Sequence, residues 1–186
     1  MNLLFPGIPN VERPEEVIEV VGDNYFGHYQ KSRIACRGIV LQGEDILLSY
    51  ETKTGQWMIP GGGQEEEEDG SDCVAREVQE ETGYQVKPSL PVLQIDEYYG
   101  NEKFISKYFL CQVTGKASIS LTKREQEVGM EPRWIPLRDA LFIFGNYRQY
   151  EGENETRRGL YLREFLALKS IFPEQEDHES SGNEKR

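Results

Sequence analysis

The sequence predicts an α/β domain whose mixed β-sheet is covered by helices, and three observations carry that expectation. At 186 residues the chain is long enough for one domain with a substantial core. Short apolar, β-branched runs and helical patterns are mixed along it without the strict strand–helix alternation of a doubly wound sheet. Its composition, 37% hydrophobic and 29% charged, is that of an ordinary globular chain.

Taken in order, EEVIEVV (15–21) fits either a strand or a short helix. RIACRGIVL (33–41) is a strand that stops at the turn signal QGED, and ILLSY (46–50) follows as its hairpin partner. WMI (57–59) is a short strand running into PGGG. PVLQIDEYY (91–99) and KFISKYFLCQV (103–113) flank Gly100-Asn101, a tight-turn pair. ASISL (117–121) and RWIPL (133–137) read as two more strands, with TKREQEVGMEP (122–132) as a loop between them. RDALFIF (138–144) and RRGLYLREFLALKSIF (157–172) read as helices. In the second, Tyr161, Phe165, Leu168 and Phe172 repeat at helical spacing and form a core stripe. PEQEDHESSGNEKR (173–186) is polar and aperiodic, so disorder is expected. The domain is thus expected over 33–172, after an N-terminal extension of residues 1–32 and before the acidic tail.

Several function classes are disfavoured at once. No apolar run approaches the roughly 20 residues that span a bilayer, and MNLLFPGIPN lacks the features of a signal peptide. Cys36, Cys73 and Cys111 are odd in number and embedded in apolar patterns, which suits buried thiols in a reducing cytoplasm. Two histidines, His28 and His178, give a His-based metal site or triad little to draw on. The net charge is −12. Most of it lies in residues 60–84, where nine carboxylates face one arginine, and in the tail. Such a surface repels bulk nucleic acid unless cations intervene.

That acidic stretch, PGGGQEEEEDGSDCVAREVQEETGY, contains a helix of about three turns, DCVAREVQEET. Ser71 or Asp72 is placed to cap it and Gly83 to end it. Glu77, Glu80 and Glu81 are spaced i, i+3, i+4 and share one face, while Val74, Val78 and Thr82 line another. Like charges at this spacing cost about 0.2–0.5 kcal/mol per pair. Glu80 and Glu81 also stand in the last turn, where the macrodipole is already negative. A helix serving structure alone would gain from lysine there. Converging hard oxygens are what Mg²⁺ or Mn²⁺ prefers, and a dication reverses the sign of the repulsion.

The spacing from Gly62 through Glu68 to Arg76-Glu77-Val78-Gln79-Glu80-Glu81-Thr82-Gly83-Tyr84 resembles the signature of the Nudix hydrolases. The resemblance implies an α/β/α sandwich with a loop–helix–loop catalytic motif. It also implies metal-dependent hydrolysis of a pyrophosphate bond in a nucleoside diphosphate linked to another moiety. Glu77, Glu80, Glu81 and the carbonyl of Gly61 are then the expected metal ligands. Arg76 looks like the residue orienting Glu77 and Glu68, with Gly62, Glu68 and Gly83 structural. The general base is expected either at Glu77 or in the 122–132 segment, at Glu127, then Glu125 or Glu131. Glu66 and Glu67 read as solvated loop charge, Glu67 where the family often has glycine; Glu65 has a better chance of an outer metal shell. Arg33, Arg37, Tyr50, Tyr98 and Tyr99 are candidates for substrate contact. The substrate is expected to be a small nucleotide, of dinucleoside polyphosphate, ADP-ribose, nucleotide-sugar or triphosphate type. Homodimerisation is a family habit. The competing reading is a regulatory module that keeps the fold without turnover, which would be expected to have lost one of Glu77, Glu80 and Glu81.

Overall fold

The computed structural model describes residues 16–173, and among them one eight-stranded mixed sheet carries helices on both faces. The main path runs β1 (Glu16–Val21), β6 (Tyr84–Tyr99), β7 (Glu102–Lys116), β2 (Lys31–Gln42), β3 (Asp45–Glu51), β4 (Gln56–Met58). Off this path β5 (Gly61–Gly63) pairs with β2 and β8 (Met130–Pro136) with β3. β1–β6 and β2–β7 are parallel; the remaining ladders are antiparallel. The helices are α1 (Gly70–Thr82), α2 (Lys123–Val128), α3 (Leu137–Gly145) and α4 (Glu155–Ile171).

The period-two alternation of β2 divides the core. Cys36 and Val40 face α1, where they meet Val74, Val78 and Phe109. Ile39 faces the other way, joining Ile46, Leu48, Leu93 and Ile95 under α3 and α4. Tyr161 and Leu168 of the α4 stripe are buried there, with Phe165 and Phe172 packed partly exposed against them. All three cysteines are buried and free.

The structure decides one open reading and corrects three others. EEVIEVV is a strand: residues 16–21 add β1 in parallel register to β6, Glu16 against Leu93. ASISL is not a strand. Its backbone is taken up by the end of α1 instead: Ala117 N donates to Gly83 O and Ser120 N to Glu80 O, at 2.8 and 2.9 Å. TKREQEVGMEP is not a loop but α2 followed by the start of β8. A capping box explains the helix: Thr122 Oγ1 accepts from Glu125 N, and Glu125 Oε2 accepts from Thr122 N. RWIPL belongs to a strand that begins earlier, at Met130, and ends at Pro136, so Leu137 opens α3. Of the segment expected to be disordered, residues 174–186 lie outside the described residues.

Candidate active site

α1 starts earlier than its expected cap. Asp69, in extended conformation, accepts from Asp72 N at 2.8 Å, so neither Ser71 nor Asp72 is the cap. Gly83 ends the helix as expected, with φ 73° and its N–H donating to Gln79 O. Val74, Val78 and Thr82 are buried on the sheet side, which turns the acidic face toward β3 and β5.

Arg76 organises that face. Its Nε and Nη2 grip the two oxygens of Glu68 at 2.8 and 3.0 Å, a bidentate pair. Its Nη1 reaches Glu77 at 2.8 Å and Glu80 at 3.3 Å, and Nη2 also donates to Gly63 O at 3.2 Å. The guanidinium holds the Glu68 carboxyl well below the ordinary range, at about 2. Glu68 in turn accepts from Glu65 N at 3.1 Å and closes the loop that leads into the helix. One cation therefore fastens loop, helix and strand β5 together.

Glu81 is the opposite case. It is 4% exposed, and its Oε2 accepts from Ser49 Oγ at 2.6 Å and from Gly61 N at 3.4 Å. Among the described residues no cationic side chain forms an ion pair with it. Burial pushes its carboxyl up to about 8. Burial also raises Glu77 in spite of Arg76, and the charges of Glu80 and Glu125 add to the rise. Glu77 lies so close under β5 that a Cβ on Gly62 would stand 2.4 Å from its carboxyl carbon. Gly61 has φ 149°, and a Cβ there would fall 2.1 Å from Cys36 O. Two of the three glycines of PGGG are therefore required by space and conformation.

The donor set fits a hard dication. Glu77, Glu80, Glu81 and the Gly61 carbonyl offer only oxygen, and Glu81 holds a desolvated carboxylate that lacks a cation. As the side chains stand, no three acidic, histidine or cysteine groups among the described residues close around one point. Glu77 and Glu80 instead face Arg76, and Glu81 faces Ser49 and Gly61.

The other expected residues are scattered. Glu65, Glu66 and Glu67 are exposed. Of the base candidates, Glu125 on α2 is the one whose charge reaches Glu77 and Glu81. Glu127 is 65% exposed with Lys123 at 4.0 Å, and Glu131 pairs with Arg133. Arg37 donates to Ile59 O at 3.3 Å and stands 3.7 Å from buried Glu164 on α4. Arg33 packs against β5, its Nη2 3.0 Å from where a Gly63 Cβ would be. Tyr50 stacks on Trp57 at 4.3 Å under the Arg133 guanidinium. Tyr98 packs with Tyr25 and beside Lys103, whereas Tyr99 lies against Gly22 and Gly159. Ser49 is a site residue that the sequence reading passes over, although a small polar side chain in the apolar strand ILLSY is a visible signal.

The model of the NUDIX domain matches residues 31–157. A human diphosphoinositol polyphosphate phosphohydrolase is 28% identical over 125 residues, 66% of this chain and 67% of that protein. A putative ADP-ribose pyrophosphatase of Bacillus subtilis is 33% identical over 86 residues, 45% of this chain and 41% of that one. Among solved structures, a NUDIX hydrolase from Nitrosomonas europaea superposes with a TM-score of 0.52 at 18% identity, covering 73% of this chain and 88% of that one. The chain belongs to the Nudix family.

Proposed function

We propose that the chain hydrolyses, with a divalent cation, a pyrophosphate bond in a small phosphorylated metabolite: a nucleoside diphosphate linked to another moiety. The observation that carries this is Glu81, a buried carboxylate held by Ser49 and Gly61 and given no protein cation. Burial keeps that carboxyl protonated up to about pH 8, so it becomes a carboxylate in the neutral range only where something positive arrives to compensate it. Members of the family generally use divalent metal ions. A bound dication supplies charge neutralisation, polarisation of the phosphoryl oxygens and a more acidic water.

The chain's own residues do the rest. Ser49 and Gly61 N fix the Glu81 oxygen in orientation. Arg76 pairs with Glu77 beside Gly62 and, through Glu68 and Gly63, fastens the loop and strand that flank the acidic face. Glu77 or Glu125 accepts the proton lost by the attacking water; the raised Glu77 carboxyl is nearer to that task than an ordinary one. Relatives are named for ADP-ribose, a compound of that class, and for diphosphoinositol polyphosphates, which carry a pyrophosphate without a nucleoside and are the second substrate class to test.

A panel of dinucleotides, nucleotide sugars, nucleoside triphosphates and a diphosphoinositol polyphosphate, incubated with Mg²⁺ or Mn²⁺, tests the reading. We expect cleavage of at least one phosphoanhydride. Glu80→Gln and Glu81→Gln should each lower turnover about 100-fold with the fold intact. Full activity in either variant contradicts the site assignment.

A further inference from the structure

Glu51, on β3 two residues beyond Ser49, is a second buried carboxylate outside the signature, 1% exposed. It accepts from Thr54 Oγ1 at 2.6 Å, and its cation is Arg124 of α2, whose Nη2 lies 3.2 Å away. The Arg124 side chain is otherwise 68% exposed, so this surface residue is bent over to reach a desolvated partner. The C-terminal end of α2 is already tied to the same turn by backbone bonds. Thr52 N donates to Gly129 O at 3.1 Å, Lys53 N donates to Val128 O at 3.2 Å, and Glu51 pairs with Met130 in register. Its first turn has no such strand bonds; there Arg124 is the contact with β3. The next residue is Glu125, the α2 carboxylate whose charge reaches Glu77 and Glu81.

We infer that the Arg124–Glu51 ion pair is a latch that fastens the first turn of α2 to β3 and so positions Glu125 for the hydrolytic step. Arg124 and Glu51 are then positioning residues: they touch neither substrate nor metal ligand and act through Glu125. The capping box fixes Glu125 to the helix start, and Ser120 N on Glu80 O holds the preceding chain against α1. The latch joins that unit to β3, the strand that also carries Ser49. This inference rests on the hydrolase reading above.

The test is a cycle on turnover with Mg²⁺ and whichever phosphoanhydride the panel identifies. Arg124→Gln should lower kcat roughly tenfold and leave KM within about twofold, because a general base contributes about 10²–10⁴ and misplacing it forfeits part of that. Glu51→Gln removes the same pair without leaving a buried charge alone. It should give the same loss, which separates the latch from destabilisation by an orphaned carboxylate. In a Glu125→Gln background neither change should lower kcat further. If Arg124→Gln or Glu51→Gln still costs tenfold in that background, or costs nothing in the wild type, the latch is overturned. A wild-type chain silent on every phosphoanhydride overturns the hydrolase reading itself, and the latch with it.

Discussion

At the scale of single residues, Glu67 is the one non-glycine residue with positive φ among the described residues, at 69°. It occupies a position where the resembled signature often has glycine. Left-handed backbone costs an L-residue roughly 1–2 kcal/mol, and glycine's extra unfolded-chain entropy returns about 0.5–1 kcal/mol of that. Glu67→Gly should therefore stabilise the chain by on the order of 0.5–1 kcal/mol, read as a raised Tm. A lowered Tm contradicts the strain. Glu68 and Glu81 shift in opposite directions, and so do their effects on stability against pH. Glu68 is depressed to about 2, so its contribution is present above the ordinary 4.5 and lost as pH falls toward 2. Glu81 is raised to about 8, so its contribution is present below 4.5 and lost as pH rises through 8. Denaturant melts of the metal-free chain should show that Glu81→Gln flattens the decline between 4.5 and 8. Glu68→Gln should flatten only the acid limb.

At the scale of elements, the site is a strand of glycines pressed against a helix of acids. Gly62→Ala places a methyl where the Glu77 carboxyl lies. Turnover should fall by at least about tenfold, the size of effect a misplaced catalytic group produces, while circular dichroism still reports a folded chain. Unchanged turnover contradicts the contact. The same elements show what a sequence can disclose. The glycine stop of α1 and its buried valine face were legible from local spacing and capping chemistry, whereas its start was misplaced because Asp69, Ser71 and Asp72 can all cap a helix. The hairpins at QGED and Gly100-Asn101 were legible for the same reason. ASISL was misread because its strand-like alternation carries no information about the helix carbonyls that capture it. α2 was misread because a six-residue helix shows barely one period of pattern. Its capping box, T-x-x-E at 122–125, was the available signal. Ser49 and Glu51 depend on which strand faces α1, a fact of tertiary packing that local pattern does not contain.

At the scale of the whole molecule, α4 is fastened to the sheet by a buried polar network. Tyr108 donates to Glu164 at 3.0 Å, Arg163 bridges Glu164 and Glu97 at 2.7 and 3.2 Å, and Arg37 stands nearby. Removing the Glu164 charge leaves two buried cations, Arg163 and Arg37, with Glu97 as the remaining acid of the network. Glu164→Gln should cost about 3 kcal/mol in a denaturant melt; a cost near zero contradicts a paired interior. The network sets Arg37 beside Ile59 and in register with Gly61 of the glycine strand.

Calorimetric titration of Mg²⁺ or Mn²⁺ into the wild-type chain and into Glu81→Gln, without substrate, tests this most directly. Saturable binding to the wild type and its loss in the variant are expected. Absence of binding to the wild type, or equal binding to both, contradicts a dication held by Glu81.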